Sequence, residues 1–311
     1  MKKEVIVGSR DSALALWQTN WVVERLNKIY PEINFKIVTM KTKGDKILDV
    51  ALAKIGDKGL FTKELEHALI NKTIDMAVHS MKDLPTVLPE GLKIGAFCER
   101  EYPGDVFISP KGYKFLELPQ GARIGTSSLR RTAQILAVRP DLQTIPLRGN
   151  LTTRFRKMEE MDLDGIILAY AGVKRLGFED KITEMLSFDL CLPAVGQGSI
   201  GVEIRADDPF IEELLKPIDH FATNRAIRAE RAFLKRLEGG CQIPIGAYCE
   251  VKENRLLLKG VVASLDGKLI IKGEKEGNVE EPEKVGISLA EELLTKGAQQ
   301  ILEEIRRDAN E

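Results

Sequence analysis

Short apolar runs alternate with longer amphipathic segments through the first third of the chain. Residues 5–7 and 33–40 have the length and β-branched content of strands, and the segment between them has the 3.6-residue apolar period of a helix that ends near Tyr30. A helix over 62–71, capped by Thr62, and a strand over 74–79 follow. This alternation predicts an α/β unit with a largely parallel sheet.

The pattern restarts after residue 104 and changes near residue 219. Strands are predicted at 105–109, 123–125 and 165–169, with a helix that opens at the Thr126-Ser127-Ser128 turn. A helix over 219–237, strands over 248–251, 256–264 and 269–273, and a terminal helix over 287–306 then predict a small α+β unit with an antiparallel sheet. The predicted fold class is α/β, with two tandem α/β domains and a smaller third domain.

Composition narrows the class of protein. The chain has 311 residues, which favours two or three domains that fold without disulfides. Its four cysteines are scattered and form no zinc spacing with the three histidines, so no metal is expected. There is no signal-peptide pattern and no apolar run of 18 residues, which predicts a cytoplasmic protein outside the membrane.

Charge is balanced over the whole chain but concentrated locally. The 46 basic and 47 acidic residues give no overall field for nucleic acid. Between residues 121 and 157, in contrast, there are several arginines and a lysine but one acid, Asp141. Arginine matches carboxylates and phosphates with two parallel hydrogen bonds, so this segment predicts a site for a small polyanion. A solvated basic face is the alternative.

Three further segments carry candidate chemistry, and the first two have a simpler alternative. Asp83 follows an apolar strand, where a carboxylate would stabilise positive charge or move a proton, but it also suits a turn. Cys241 lies in a Gly-Gly-Cys turn and is either an exposed nucleophile or a buried packing residue. Lys54, Lys58 and Phe61 belong to a glycine-interrupted loop that is a candidate lid; no phosphate-binding P-loop motif is present.

Six segments together resemble the hydroxymethylbilane synthase family, also called porphobilinogen deaminases. They are Gly8-Ser9-Arg10-Asp11-Ser12, residues 77–85, Gly125-Thr126-Ser127-Ser128-Leu129-Arg130-Arg131, Leu147-Arg148-Gly149-Asn150, residues 192–198 and Glu238-Gly239-Gly240-Cys241-Gln242. The resemblance covers nearly the whole chain. It implies two domains like those of periplasmic binding proteins: domain 1 (1–98 with 198–216) and domain 2 (99–197). A third domain (217–311) would carry the cofactor cysteine.

The resemblance also implies the chemistry. Four porphobilinogen molecules would lose ammonia and join head to tail on a dipyrromethane cofactor, which is linked by a thioether to Cys241, and water would then release hydroxymethylbilane. By match to the family, Asp83 is catalytic. The matched binding residues for pyrrole acetates and propionates are Arg10, Ser12, Lys82, Ser128, Arg130, Arg131, Arg148, Arg154 and Arg175.

The expected partner is porphobilinogen alone, in a monomeric enzyme that binds neither nucleic acid nor membrane. Two rivals remain at this stage, a non-catalytic anion-binding protein and a nucleotide-phosphate transferase. The chain also departs from the family at Ala13, where proline is common, and at Asp57, where a second glycine is common.

Overall fold

The structure is a computed structural model that describes residues 4–42, 62–238 and 243–310. Its strands are β1 (Glu4–Arg10), β2 (Asn34–Met40), β3 (Met76–Ser80), β4 (Leu92–Phe97), β5 (Asp105–Ile108), β6 (Arg123–Gly125), β7 (Gln143–Ile145), β8 (Gly165–Ala169), β9 (Glu184–Met185), β10 (Ile200–Arg205), β11 (Ile245–Lys252), β12 (Arg255–Ala263) and β13 (Ile270–Asn278).

The α-helices in this part of the chain are α1 (Ala13–Ile29), α2 (Lys63–Ile70), α3 (Leu129–Val138), α4 (Leu151–Glu160), α5 (Tyr170–Arg175), α6 (Pro209–Leu215), α7 (Phe221–Arg236), α8 (Pro282–Leu293) and α9 (Gln299–Asn310). Two of the helices that begin with side-chain caps, α1 and α3, follow turns singled out in the sequence. Ser12 accepts a hydrogen bond from the Ala15 amide at 3.3 Å, and Ser128 accepts one from the Arg131 amide at 3.4 Å. Both turns therefore lead from a strand into a helix as predicted.

The strands form three sheets. The first has the order β2-β1-β3-β10-β4, the second β7-β6-β8-β5-β9, and the third β11-β12-β13. The third sheet is antiparallel throughout, and helix α7 packs on it through Phe233 and its neighbours. Two α/β units followed by a small antiparallel unit confirm the predicted fold class. The domain boundaries stay a prediction.

The first two sheets are mixed, so the expectation of largely parallel sheets was wrong in part. Strand β10 runs antiparallel to β3 and β4, and β5 runs antiparallel to β8 and β9. The chain enters β10 directly after leaving the second sheet, and it enters β5 directly after leaving the first sheet. The direction of each strand is therefore set by that crossing and not by a local strand-helix-strand connection, which would make neighbours parallel.

Two local predictions also need correction. Thr62 stands at the start of α2, but its side chain makes no capping hydrogen bond. The predicted terminal helix is divided into α8 and α9, because Gly297 between them has a φ of 110°, outside the helical region. Three of the four cysteines, Cys98, Cys191 and Cys249, are buried.

Candidate active site

Asp83 lies on a single helical turn, Met81–Asp83, that directly follows the last residue of β3. The turn is held by close packing: a Cβ on Gly196, whose φ is +75°, would meet the Met81 side chain and the Lys82 amide nitrogen. Just before the turn, the Gln18 amide donates to the Ser80 hydroxyl at 2.8 Å. The position of Asp83 is therefore set by tertiary packing as well as by the strand.

Asp83 faces Arg10 across a small pocket. Arg10 Nη1 is 4.0 Å from Asp83 Oδ2, and the side chains are 20% and 36% exposed, so both remain accessible to a ligand. The pocket is also lined by Ser12, Thr62 and His79. A carboxylate and a guanidinium at this separation can hold a ligand that carries both a positive centre and an anion.

Arg130 and Arg131, at the start of α3, converge on the buried carboxylate of Asp105. Arg130 Nη1 is 2.8 Å from Oδ2, and Arg131 Nη2 is 2.6 Å from Oδ1. Burial alone would raise the pKa of Asp105, but the two guanidinium charges outweigh it and hold the pKa well below its ordinary value. Asp105 is thus an anion that neutralises part of the arginine group.

The two arginines also donate hydrogen bonds to different backbone carbonyls. Arg130 donates to the Leu192 carbonyl at 2.6 Å, and Arg131 donates to the Ile167 carbonyl at 2.9 Å. The Nε–H of Arg131 is buried and has no hydrogen-bond partner in the described part of the chain. An unpaired buried donor on a cation is costly to stability.

Positive charge accumulates around Arg131. Burial and the charge of Arg131 lower the pKa of Arg154 to about 10; Asp83 opposes the shift and Arg148 adds to it. Arg154 is further oriented by donating from Nε to the Gly149 carbonyl at 2.8 Å. Asp83, Arg131, Arg148 and Arg154 therefore interact electrostatically at one site.

Lys82 belongs to the same site. Its side chain is exposed to water, yet the surrounding protein removes enough hydration to lower its pKa to about 8, with Asp83 opposing and Arg131 reinforcing the shift. Both facts describe an ammonium in an open cleft, where water reaches the group but protein surrounds it. Lys82 and Asp83 come from the first sheet, whereas Arg131 follows the second, so the cleft lies between the two.

Arg175 is placed differently from the other predicted arginines. It donates from Nη2 to the Gly198 carbonyl at 2.7 Å, and its Cζ lies 5.5 Å from the Trp17 ring centroid. Burial lowers its pKa to about 10, while Glu101 opposes that shift. Arg175 therefore lies beside the segment that connects the two sheets. Its role as a carboxylate ligand stays a prediction, and so do the roles of the other site residues.

Four predicted residues lie outside the described residues. They are Cys241, the predicted attachment site, and the lid candidates Lys54, Lys58 and Phe61. Asp57, a departure from the family pattern, also falls there, whereas Ala13 is the first residue of α1.

Sequence reasoning missed Asp105 and Gln197. Gln197 Nε2 donates to Asp105 Oδ1 at 2.9 Å and to the Pro103 carbonyl at 2.6 Å. A signal existed for each: Asp105 is an acid opening an apolar strand, and Gln197 lies inside one of the six motifs. Neither signal indicates that Asp105 pairs with the two arginines or that Gln197 donates to Asp105.

Within residues 4–42, 62–238 and 243–310, no helix is long and apolar enough to cross a membrane, and no group of histidine, cysteine and acidic side chains has the arrangement of a metal site. The two α/β units, with Asp83 and the cations around it in the cleft between them, define the class of site.

Comparison with known proteins identifies the family. Residues 5–213 match the model of the porphobilinogen deaminase dipyromethane cofactor binding domain, and residues 224–295 match the porphobilinogen deaminase C-terminal domain. The chain belongs to the porphobilinogen deaminase family. The resemblance inferred from the six motifs is confirmed, and so is the predicted enzyme class.

Individual relatives agree over their full length. The chain is 95% identical over 311 residues, all of both chains, to the porphobilinogen deaminase of Carboxydothermus hydrogenoformans. It is 62% identical to that of Desulforamulus reducens, over 98% of this chain and 99% of the relative. Among solved structures, it is similar to the periplasmic aliphatic sulphonate binding protein SsuA of Escherichia coli, with a TM-score of 0.42, 13% identity, and coverage of 76% and 71% of the two chains.

Proposed function

We propose that this enzyme condenses four porphobilinogen molecules head to tail on a dipyrromethane cofactor bound through a thioether to Cys241, and then releases hydroxymethylbilane by hydrolysis. The observation that carries the proposal is the excess of positive charge beside Asp83. Arg131, Arg148, Arg154 and Lys82 surround the cleft, and Arg131 Nε–H has no partner in the described part of the chain.

The residues present fit such a cofactor. Each of its pyrroles carries an acetate and a propionate, and these carboxylates match the forked donors of arginine. We assign Arg130, Arg131, Arg148 and Arg154, with Ser128 and Lys82, to these groups, and Arg10, Ser12 and Arg175 to the incoming substrate or the growing chain. When bound, the cofactor supplies the pyrrole carbon that begins the chain.

Asp83 has the central chemical role. Loss of ammonia from porphobilinogen leaves a positive charge spread over the pyrrole ring, and a carboxylate beside the ring stabilises that charge and accepts the pyrrole N–H. Arg10, whose Nη1 is 4.0 Å from Asp83 Oδ2, attracts that carboxylate electrostatically and binds a substrate carboxylate. The surrounding cations meanwhile offset the carboxylates that accumulate as the chain grows.

Cellular location and assembly are parts of the same proposal. We expect a cytoplasmic monomer that uses porphobilinogen as its only partner and needs no metal. Family membership favours this enzyme over the two rivals, the non-catalytic anion-binding protein and the nucleotide-phosphate transferase.

Intact-mass spectrometry tests the proposal directly. Protein purified from cells that make porphobilinogen is expected to exceed its sequence mass by one dipyrromethane unit, and Cys241→Ala is expected to show the bare mass and no bilane formation. Cys98→Ala, which alters a buried cysteine, is the matched control and should keep the adduct. Wild-type protein of bare mass, or an adduct that persists in Cys241→Ala, would contradict the proposed attachment.

A second test uses the lowered pKa of Lys82. Since the folded-state pKa is about 8, the ammonium is lost as pH rises through that value, and carboxylate binding should weaken above it. We expect the KM for porphobilinogen to rise by up to about tenfold between about pH 7 and pH 9. Lys82→Arg, which stays charged, should flatten that rise; both proteins use the same substrate, so equal pH profiles would remove Lys82 from the binding site.

A further inference from the structure

Helix α7 contacts the back of the Asp83 turn. Ile227, on this helix, is fully buried in a cluster with Met81 and Leu84 from the turn and Phe97 from β4. The same helix ends at Arg236, five residues before Cys241 in the sequence. One helix therefore touches the segment of the proposed catalytic carboxylate and leads to the proposed attachment site.

Arg231, one helical turn after Ile227, stabilises the contact between α7 and the segment that follows Asp83. Its Nη1 donates to the Leu84 carbonyl at 3.0 Å and its Nη2 donates to the Pro85 carbonyl at 2.5 Å. The two acceptors are the carbonyls of the first and second residues after Asp83. A planar guanidinium that holds two consecutive carbonyls restrains both the position and the orientation of that backbone.

The charge of Arg231 makes its position unusual. Burial lowers its pKa to about 10, and Glu203 opposes the shift, but no carboxylate in the described ranges forms an ion pair with it. A half-buried cation whose hydrogen bonds go to backbone carbonyls and not to a carboxylate is not the least costly way to pack a helix, since an apolar residue would avoid the desolvation. The two hydrogen bonds that restrain residues 84 and 85 are what Arg231 provides in return for this desolvation cost.

Arg231 lies behind the cleft and not in it. It lines a separate groove with Ile94, Phe97, Arg228 and Lys235, whereas Asp83 lines the pocket that contains Arg10. Arg231 therefore reaches the reacting atoms only through the backbone that follows Asp83.

We propose that Arg231 is a positioning residue that sets the placement of Asp83 relative to the helix leading to Cys241. This inference rests on the proposed function and adds to it a residue that none of the six motifs contains. Because Arg231 touches no substrate, its loss should displace Asp83 without removing a carboxylate-binding group. A displacement on the order of 1 Å lowers turnover by up to about 100-fold.

The experiment compares Arg231→Met, Arg231→Lys and the control Arg228→Met. Met keeps the apolar stem but donates no hydrogen bond; Lys can reach one carbonyl but cannot hold both. Arg228 is on the same helix and lines the same groove, yet its partner is the exposed Glu283, at 2.6 Å. Turnover is measured per primer-carrying molecule, counted by intact mass, so that protein without primer does not enter the rate, and circular dichroism shows that each variant is folded.

We expect Arg231→Met to lower kcat by about 10- to 100-fold with KM changed less than about twofold. Arg231→Lys should recover part of the loss, and Arg228→Met should stay within about twofold of the wild type. An unchanged kcat in Arg231→Met, a change confined to KM, or an equal loss in Arg228→Met would overturn the inference. If wild-type protein carries no primer and forms no bilane, the proposed function itself has failed; a normal wild type separates the two outcomes.

Discussion

Asp83→Asn is expected to keep the fold and the bound primer and to lower kcat by about 10²- to 10³-fold. Loss of one preorganised electrostatic contact to the transition state has an effect of this size in other enzymes. Asn preserves the shape of the side chain but cannot neutralise a cationic pyrrole. Because Asp83 is partly exposed and its nearest described counter-charge, Arg10, is 4.0 Å away, the substitution leaves no tightly paired buried charge behind.

Single-turnover and steady-state measurements on primer-carrying protein check this expectation. Asp180→Asn is the matched control, because Asp180 is an exposed aspartate on a similar short helical turn, Glu179–Lys181. It should turn over at the wild-type rate. Near-normal kcat in Asp83→Asn, with primer confirmed by mass, would exclude Asp83 as the catalytic carboxylate.

Asp105→Asn is expected to lower the free energy of unfolding by about 3–5 kcal/mol. The change removes the negative charge that Arg130 and Arg131 share at 2.8 and 2.6 Å, and it leaves two buried guanidinium groups without a counter-charge. It also disturbs the acceptor of the Gln197 amide, so the connection between the two sheets loosens at the same point. Urea unfolding of both proteins measures the difference.

The control is the exposed ion pair between Arg156 and Glu160, whose N···O distance is also 2.6 Å. Glu160→Gln should change the free energy of unfolding by less than about 1 kcal/mol, because surface pairs contribute little. Equal effects of the two substitutions would show that Asp105 has no special stabilising role.

The pH dependence gives an independent check on Asp105. Its pKa is lowered in the folded state, so its contribution to stability is present above the ordinary carboxyl pKa of the unfolded chain and is lost as pH falls below that value. The difference between wild type and Asp105→Asn should therefore narrow in acid. A difference that stays constant with pH would point to packing and not to charge.

Much of the fold follows from local patterns. Apolar runs predicted β1 and β8, and a 3.6-residue apolar period predicted α1, each within a few residues, because these elements bury one face or are buried on both. The failures have local causes as well. Gly297 breaks a helix by its backbone conformation, and Thr62 lacks the capping bond that its residue type suggested.

The candidate site was only partly accessible to sequence reasoning. The motif around Asp83 and the Gly-Thr-Ser-Ser turn before Arg130 identify chemically useful side chains and place them at the ends of strands. Nothing in the spacing indicates that Arg130 and Arg131 are held by Asp105 while Arg131 Nε–H stays without a described partner. Those facts depend on which carboxylates the second sheet brings within reach.

The sequence by itself determined the residue types of the cationic cleft, the strand-to-helix turns that carry them, and the family of the protein. These features depend on neighbours along the chain. Tertiary structure alone decided the direction of β5 and β10 and the pairing of Asp105 with two arginines. It also decided the hydrogen bonds from Arg231 to Leu84 and Pro85, which are 147 and 146 residues away along the chain. The physical reason is that such contacts arise from packing between distant segments, and short-range periodicity contains no information about which distant side chains meet.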